Sequence, residues 1–419
     1  MRMKFIKSSQ LLLVSAASLL AAGLLTACGT LTVDFVFVAS SKAAGTNNYG
    51  EIDVFEINSE SGFMRQIPTS PFPSGGRDPV AEAVSSDNTN LYVVNQDDNS
   101  IVQFIIGNDG KLYPQHTVNT PGIYPLAVAV SGSNLFVVDT YQPLPICSTA
   151  DPCSGSVAVF PITASSTSPP SDVLGSPLAN GSLNYWPLSL PSKPNDIIVP
   201  TAINVLASGA RLYVTAYDST VTPYAGYIFG FSVASGGALT PLNGGVPFAA
   251  GTHPSAIASD STSGYVYVTD LSNGNVLGYT VSTAAADVGS LSPLSGSPFP
   301  AGNQPSAIVV DPSYPYVYVA NSLDSTVTAY SMSSGELTSL GIYATGEQPV
   351  AIGIDPSTNH FLYTANYLGN GVVGTVSGFQ LGPTAGTLVN SQNSPYTANA
   401  LPTAVAAIAH DGTGGGTQK

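Results

Sequence analysis

The segment Pro305-Ser-Ala-Ile-Val-Val-Asp311, followed by Val317-Tyr-Val-Ala-Asn321, is the phrase that decides the fold of this chain. Both stretches are short, rich in β-branched and aromatic residues, and bounded by Gly, Pro, Asn or Ser, as β-strands are. A third stretch of the same kind, Val327-Thr-Ala-Tyr330, comes next, and a Gly-x-Leu turn at Gly335 opens a fourth. One copy of the phrase therefore encodes four short strands joined by tight turns.

The phrase recurs along the chain, and its first strand begins with a proline each time. The intervals run from 44 residues, between Pro305 and Pro349, to 75 residues, between Pro125 and Pro200. The seven prolines are Pro79, Pro125, Pro200, Pro254, Pro305, Pro349 and Pro402. Four short strands repeated around a ring are typical of a β-propeller. The sequence predicts an all-β fold, a seven-bladed β-propeller of four-stranded antiparallel blades.

The two ends of the repeat region indicate how the ring closes. It begins with a second-strand phrase, Val36-Phe-Val-Ala-Ser40, and finishes with a lone proline strand, Pro402-Thr-Ala-Val-Ala-Ala407. We therefore expect the C-terminal strand to complete blade 1, which would leave no open sheet edges in the ring. The predicted propeller spans residues 33–409, with an insertion at about 140–200, and residues 410–419 form a flexible tail.

The composition excludes several classes of protein. Only 8% of the 419 residues are charged, the formal net charge is −15, and Lys and Arg together number 10. Nucleic acid is not an expected partner, because phosphate binding needs clustered basic side chains. Aromatic residues make up 9% of the chain, which argues against intrinsic disorder. No metal-ligand spacing, phosphate-binding glycine loop or nucleophile elbow is present, so we expect no metal and no cofactor.

The N-terminus resembles a bacterial lipoprotein signal. Basic residues precede an apolar run at 11–25, which at 15 residues is too short for a typical membrane-spanning helix. The run ends in Leu25-Thr-Ala-Cys28, which is similar to the lipobox. The resemblance implies a signal peptide at 1–27, an acylated Cys28 that anchors the protein to a membrane, and a linker at 28–32. An ordinary secretory signal with a chance cysteine is the alternative.

The residue after the cysteine bears on which membrane would hold the anchor. Lipoproteins kept in an inner membrane typically carry Asp at this position, and this chain has Gly29. We therefore expect an extracytoplasmic protein on the outer membrane or cell surface rather than the inner membrane. Stable anchoring is expected from several acyl chains, since each buried CH₂ group contributes about 0.8 kcal/mol.

The two remaining cysteines fit an oxidising compartment. Cys147 and Cys153 enclose five residues, among them Asp151-Pro152, in a segment that we place in a loop. A disulfide between them is the favoured interpretation for an exported protein. Two free thiols are the alternative, and a metal site would need further ligands, of which no His lies near in sequence.

The repeated phrase also resembles a known family. Val317-Tyr-Val-Ala-Asn321 and Pro305-Ser-Ala-Ile are similar to the YVTN-type propeller repeats of bacterial surface and secreted proteins. The same blades resemble the seven-bladed lactonase family, which includes a 6-phosphogluconolactonase and a cycloisomerase. The resemblance covers roughly residues 33–409. It is specific for the fold but not for the function, because many propellers with different functions share this repeat.

A candidate site lies where the loops of one propeller face meet. The loops from strand four to strand one and from strand two to strand three share a face, so the residues before the repeat prolines should ring the mouth of the channel. The predicted ligand-binding residues are Asp78, Tyr124, His253, Gln304, Gln348 and, one place further out, Glu347. Solvated turn residues without a ligand are the alternative interpretation.

One inner-strand residue breaks the repeat pattern. The fourth residue of six proline strands is Val or Ile, but in the strand from Pro79 it is Glu82. A carboxylate at an apolar position between blades is costly unless it is paired or protonated, and Arg77 is the nearest candidate partner in sequence. A functional role, a buried ion pair and a side chain that reaches water in the channel are the open interpretations.

The sequence favours a binding module over an enzyme. The resemblance to lactonases implies His and Arg just after the inner-strand prolines, and this chain has neither there. Those positions hold Val80, Leu126, Thr201, Ser255, Ser306, Val350 and Thr403. We expect a lipid-anchored propeller that binds a protein or a glycan at the cell envelope. If it is instead a lactonase-type hydrolase, the catalytic candidates are His253 as base, Arg77 as electrophilic clamp and Glu82 as second carboxylate.

Overall fold

Strands arranged in seven sheets make up the described part of the chain. The computed structural model describes residues 33–42, 48–58, 61–143, 147, 153–164, 172–355, 361–368, 373–381 and 386–408. Within these ranges one 3₁₀ turn, Asn243–Gly245, interrupts the strands. No helix in the described ranges has the length and apolarity needed to cross a bilayer.

The first three blades contain the N-terminal strands and the last strand of the chain. Blade 1 consists of β1 (Val33–Ser41), β2 (Glu51–Asn58), β3 (Met64–Gln66), β4 (Phe72–Pro73) and the final strand, β33 (Leu401–Ile408). Blade 2 consists of β5 (Pro79–Val84), β6 (Asn90–Asn95), β7 (Ser100–Ile106) and β8 (Leu112–Asn119). Blade 3 consists of β9 (Ile123–Ser131), β10 (Asn134–Tyr141), β11 (Ser156–Thr163), β12 (Val173–Leu174) and β13 (Trp186–Pro187).

The remaining four blades follow in chain order. Blade 4 consists of β14 (Ile198–Val205), β15 (Arg211–Asp218), β16 (Ala225–Val233), β17 (Leu239–Pro241) and β18 (Phe248–Ala249). Blade 5 consists of β19 (Pro254–Ser259), β20 (Tyr265–Asp270), β21 (Asn275–Val281), β22 (Leu291–Pro293) and β23 (Phe299–Pro300). Blade 6 consists of β24 (Pro305–Val310), β25 (Tyr316–Asn321), β26 (Thr326–Ser333) and β27 (Glu336–Ala344). Blade 7 consists of β28 (Pro349–Ile354), β29 (Phe361–Asn366), β30 (Thr375–Leu381), β31 (Leu388–Asn390) and β32 (Tyr396–Thr397).

The predicted seven-bladed propeller and its mode of closure are confirmed. In five blades the outer position is shared by two short strands that pair with the same third strand, so each blade has four strand positions. In blade 1, β33 pairs antiparallel with β1, with Val405 opposite Val38 and Ile408 opposite Phe35. The C-terminal strand is thus the inner strand of the blade that the N-terminal strands begin.

The core of the propeller lies between its blades. The buried apolar side chains of the described residues form seven clusters, and each cluster joins two neighbouring blades around the ring. Because a blade is covered on both faces, its second strand is apolar along its whole length instead of alternating. In β6, for example, all six residues from Asn90 to Asn95 are buried. This explains the continuous Leu-Tyr-Val-Val phrase in the sequence.

Every inner strand carries a β-bulge directly after its proline. In blade 2, Pro79 pairs with Asn95 and Ala81 with Val94, which leaves Val80 as the extra residue. The same shift occurs in the other six blades. A bulge bends the strand and changes the direction of one side chain. In all seven blades, the residue after the repeat proline therefore has no pairing partner on the second strand.

The predicted disulfide is present in the structure. Cys147 and Cys153 are bonded, with their Cα atoms 5.3 Å apart, in the connection between β10 and β11 of blade 3. The predicted lipidation site, Cys28, lies outside the described residues, as do the signal segment and the C-terminal tail.

Candidate functional site

The mouth of the channel is formed by two sets of loops that hydrogen-bond to each other. The backbone N–H that follows the second strand of a blade donates to the carbonyl of the residue before the inner-strand proline. The N···O distances are 2.8 Å for Gln96 to Asp78, 2.9 Å for Leu271 to His253 and 2.9 Å for Ser322 to Gln304. The loops from strand four to strand one and from strand two to strand three therefore share one face.

In blades 3, 5 and 6 the Asn or Asp that ends the second-strand phrase holds the incoming loop of its own blade. Asp270 accepts from the backbone N–H of Thr252 at 2.8 Å and of His253 at 3.2 Å. Asp139 accepts from the N–H of Gly122 at 3.0 Å. These carboxylates thus fix the backbone at the mouth, which the repeat pattern alone did not reveal.

Four of the predicted ligand-binding residues share an uncommon backbone conformation. Asp78, Tyr124, Gln304 and Gln348 have φ angles of 52°, 55°, 53° and 54°, in the left-handed region that side chains usually avoid. Each directly precedes its inner-strand proline. Residues held in such conformations cluster at binding sites more often than elsewhere. Gln304 and Glu347 are exposed to solvent, and the other predicted residues are partly buried.

His253 lies in a group of aromatic rings rather than among charged residues. Its imidazole packs edge-on against Tyr217, with ring centroids 4.4 Å apart, and against Tyr224 at 5.5 Å. The rings of Tyr217 and Tyr224 are 4.8 Å apart and tilted by 34°. Burial lowers the pKa of His253 below its ordinary value, while the charge of Asp270 opposes this shift. The imidazole is therefore mostly neutral at pH 7.

A second aromatic pair continues this group on the neighbouring blade. Tyr124 and Tyr141 of blade 3 make an edge-to-face contact, with ring centroids 6.2 Å apart. The pKa of Tyr217 is raised mainly by burial and further by the neighbouring phenols of Tyr224 and Tyr141. We call Tyr124, Tyr141, Tyr217, Tyr224 and His253 the aromatic arc. It runs along the mouth over blades 3, 4 and 5.

The sequence identified two members of the aromatic arc and missed three. Tyr124 and His253 stand before repeat prolines, whereas Tyr141, Tyr217 and Tyr224 belong to the strand-two ends and loops of blades 3 and 4. The sequence signal that could have identified the missed residues is the pair Tyr217 and Tyr224, which lie on either side of the end of β15. Its significance depends on which blades are neighbours, which only the closed ring specifies.

The side chain of Arg77 forms an ion pair within its own blade. Its Nε lies 2.7 Å and its Nη2 2.6 Å from Oδ1 of Asp98, and its backbone N–H donates to Oδ2 of the same carboxylate at 2.7 Å. Asp98 belongs to the loop between β6 and β7, beside the loop that carries Arg77. The guanidinium thus ties two mouth loops together, and the sequence-based pairing of Arg77 with Glu82 is not observed.

Glu82 is enclosed between blades 1 and 2. Both of its carboxyl oxygens are buried, and neither makes a hydrogen bond of normal geometry within the described structure. Burial raises the pKa of Glu82 to about 8, an effect that the nearby backbone amides of Ala39 and Ala406 only partly offset. The side chain is therefore a neutral acid at pH 7. Among the described residues, no hydrogen bond, ion pair or ring contact joins His253, Arg77 and Glu82 to one another.

The positions after the inner-strand prolines are used for contacts between blades. The hydroxyl of Ser306 donates to the carbonyl of Pro349 in the next blade at 2.7 Å. Thr403 donates in the same way to the carbonyl of Pro79 at 2.6 Å. These side chains sit at the bulges, where the lactonase resemblance implies His and Arg. In this chain they stabilise the ring and supply no base or cation.

A separate cavity of about 380 Å³ lies at the outer edge, between the insertion of blade 3 and blade 4. Trp186, Phe229, Phe231 and Leu239 contribute to its wall, and the Trp186 indole N–H donates to the carbonyl of Leu239 at 2.9 Å. None of its lining residues is titratable and none is a predicted site residue. General acid–base chemistry therefore has no groups to use there. Nor do the described residues contain a cluster of three or more metal-ligating side chains.

Comparison with known proteins assigns the fold to a family. The model of the family described as "Lactonase, 7-bladed beta-propeller" matches residues 48–143 and 225–405. The chain belongs to this family. The segment between the two matched ranges includes the disulfide loop, the blade 3 insertion, Tyr217 and Tyr224, so two of the five residues of the aromatic arc lie outside the matched part of the chain.

Solved structures share the lactonase-family fold at low sequence identity. The periplasmic gluconolactonase of Pseudomonas aeruginosa is 18% identical, with a TM-score of 0.68, over 91% of this chain and 100% of that chain. A Bacteroides fragilis protein assigned provisionally as a 6-phosphogluconolactonase is also 18% identical, with a TM-score of 0.66, over 90% and 98% of the two chains. Likeness at this identity shows the fold alone. Comparison with curated protein sequences finds no match.

Proposed function

We propose that this lactonase-family propeller is a binding module for a protein or glycan ligand, which it holds at the mouth of the channel. The observation that carries the proposal is the separation of the three catalytic candidates. Arg77 is paired with Asp98, Glu82 is enclosed between blades, and His253 is surrounded by tyrosines. Lactone hydrolysis needs a base and an oxyanion-stabilising group positioned around one substrate atom.

The mouth has the groups that binding requires. Exposed or partly exposed Gln304, Gln348 and Tyr124 supply amide and phenol groups on a rim whose backbone is fixed by hydrogen bonds. Such a rim needs no tuned pKa to bind a ligand, since a preformed surface with a few polar groups gives both orientation and specificity.

Lactonase activity is the second candidate, and family membership favours it. The named neighbours include gluconolactonases, and His253 is a neutral imidazole that could act as a base. Hydrolysis would then have to use a water molecule near His253, with oxyanion donors from the mouth backbone rather than from Arg77 or Glu82.

A hydrolysis assay distinguishes the two functions. The purified protein is incubated with glucono-δ-lactone and with 6-phosphogluconolactone, and acid release is compared with the uncatalysed rate. We expect no turnover above background. Turnover that disappears in His253→Ala would reject the binding proposal and establish the lactonase. The binding proposal is supported if no turnover occurs and a cell-envelope glycan or peptide binds the wild type but not Gln304→Ala.

We further propose that Cys28 carries the lipid anchor, on the strength of the lipobox-like segment. Cys28→Ser should release the protein from membranes or leave the precursor uncut, and membrane fractionation with mass spectrometry of the mature N-terminus measures this. A mature terminus at another residue, without acylation, would contradict the lipoprotein assignment.

A further inference from the structure

The aromatic arc is built by residues from three neighbouring blades. Tyr124 and Tyr141 come from blade 3, Tyr217 and Tyr224 from blade 4, and His253 from blade 5. The centroid distances are 6.2 Å within the blade 3 pair and from 4.4 to 5.5 Å among Tyr217, Tyr224 and His253, which are those of packed aromatic rings. Tyr224 is the outermost ring, with 41% of its surface exposed. The arc thus presents ring surface and phenol hydroxyls to solvent on one side of the mouth.

The surroundings of the arc do not suit an anionic ligand. His253 is held neutral, and the two cations on neighbouring loops are already paired, Arg77 with Asp98 and Lys193 with Asp196 at 3.3 Å. Asp270, the carboxylate beside His253, accepts hydrogen bonds from the loop amides of Thr252 and His253. With a formal net charge of −15, the protein repels phosphate and carboxylate groups. A ligand of the arc should therefore carry no negative charge.

The shape and chemistry of the arc fit a sugar ring. A pyranose has a flat face of C–H groups, which packs on aromatic rings, and a rim of hydroxyls, which exchange hydrogen bonds with phenols and amides. Tyrosine supplies both kinds of contact with little loss of side-chain entropy. The edge-on His253 fixes the Tyr217 and Tyr224 rings, so the surface is organised before the ligand arrives.

We propose that the aromatic arc is the binding site for uncharged pyranose rings of an oligosaccharide, with the exposed ring of Tyr224, backed by Tyr217, as the stacking surface. The inference rests on the proposed binding function and specifies its ligand as a neutral glycan. The arc covers blades 3 to 5 only, so the glycan lies across one side of the mouth, beside the disulfide loop of blade 3, rather than along the channel axis.

The test uses defined oligosaccharides and a matched pair of tyrosine variants. Calorimetry and tyrosine fluorescence follow titration of the full protein with cellohexaose, mannohexaose, maltohexaose and β-1,4-galactohexaose, and with the anionic hexagalacturonic acid. At least one neutral hexasaccharide should bind, and hexagalacturonic acid should bind more weakly than it. Tyr224→Ala should weaken binding about tenfold, the loss of one stacking contact, whereas Tyr224→Phe should retain most of the affinity.

Tyr314 provides the control. It is 50% exposed and lies in the turn between β24 and β25, on the opposite face, so Tyr314→Ala should bind as the wild type does. The inference is wrong if no neutral hexasaccharide binds, if the anionic one binds as tightly, or if Tyr224→Ala retains full affinity. Binding that survives Tyr224→Ala but is lost in Gln304→Ala would overturn the arc as the site and leave the binding function standing. Lactone turnover would reject the function itself.

Discussion

The carboxyl group of Glu82 has the least favourable environment among the carboxylates that the sequence singled out. Its equivalents in other blades, such as Ile257 and Ile308, are apolar and buried between blades. A charged carboxylate there would lack a partner, so the group keeps its proton instead. Glu82 therefore departs from the apolar repeat pattern but remains uncharged between the blades. Its consequence is a dependence of stability on pH rather than a catalytic role.

The stability of the protein should fall as pH rises through the range in which Glu82 ionises. The folded protein holds the proton up to about pH 8, whereas the unfolded chain releases it near the ordinary pKa of 4.5. The folded state therefore binds more protons within this window, and the free energy of unfolding should decrease by up to about 1.4 kcal/mol per pH unit. Glu82→Gln removes this contribution.

Guanidinium unfolding at pH 5 and at pH 8.5 measures the effect in wild type and Glu82→Gln. We expect the variant to lose much less stability between the two pH values. Asp139, whose pKa burial raises to about 7, acts in the same direction, so Asp139→Asn serves as a second comparison. An unchanged difference between the two pH values in Glu82→Gln would show that this carboxyl is ionised or hydrated in the fold.

In blades 4 and 5 the second strand is linked to the next blade by the hydroxyl of its tyrosine. The hydroxyl of Tyr267 in β20 donates to the carbonyl of Gly335 at 2.7 Å, and that of Tyr213 in β15 donates to the carbonyl of Gly289 at 2.7 Å. Both acceptors lie in the Gly-x-Leu turn that opens the outer strand of the following blade. The Tyr of the repeated phrase and the Gly of the turn therefore form one structural unit across the blade interface.

Two tyrosines in equivalent positions allow this link to be measured. Tyr267→Phe removes a buried hydrogen bond and leaves the Gly335 carbonyl without its donor, so unfolding free energy should fall by about 1–3 kcal/mol. Tyr318 is equally buried, but its hydroxyl has no hydrogen bond in the described structure, and Tyr318→Phe should be neutral or slightly stabilising. Chemical denaturation of both variants tests the difference, and equal losses would contradict the link.

The sequence was sufficient for the strands because each one is a short β-branched or aromatic run with its own turn residues. Val36 to Ser40 and the Pro402 strand even indicated how the ring closes, and β1 and β33 do pair. What the sequence could not provide was contact between blades. The companions of His253, which precedes the inner strand of blade 5, are Tyr217 and Tyr224 from blade 4. Such contacts follow from the curvature of the ring, which no local pattern encodes.

The whole ring depends on one pairing between its two ends. Residues of β33 belong to the apolar clusters on both sides of blade 1, where Ile408 packs with Phe37 and Val405 packs with Val38. Without this strand, β1 would expose a hydrogen-bonding edge and two interfaces between blades would lose buried surface. Stability is thus a property of the closed ring rather than of separate blades.

A chain that ends at Ala400 should therefore lose the cooperative fold, whereas a chain that ends at residue 409 should behave as the full protein. The first lacks β33 entirely, and the second keeps every described strand. Soluble yield, size-exclusion chromatography and thermal unfolding compare the two truncations. A soluble Ala400 truncation that melts at the wild-type temperature would show that the ring closes by another route.

The direction of the chain fixes which face of the propeller adjoins the proposed lipid anchor. Ser40, near the end of β1, pairs with Pro402 at the mouth, so Val33 at the start of β1 lies on the opposite face. Cys28 precedes Val33 by only five residues, which reach at most about 18 Å when extended. An anchor at Cys28 would therefore hold the opposite face towards the membrane, with the mouth and its aromatic arc pointing away from it.

Fluorescence energy transfer to a membrane dye tests this orientation in reconstituted vesicles. Cys28 would be acylated and Cys147 is bonded to Cys153, so a thiol introduced as Tyr224→Cys or Tyr314→Cys is the one available for labelling. The label at position 314, on the anchored face, should transfer more efficiently to the dye than the label at position 224, at the mouth. Equal transfer would mean that the propeller tumbles freely on its linker, and stronger transfer from position 224 would mean that the mouth faces the lipid.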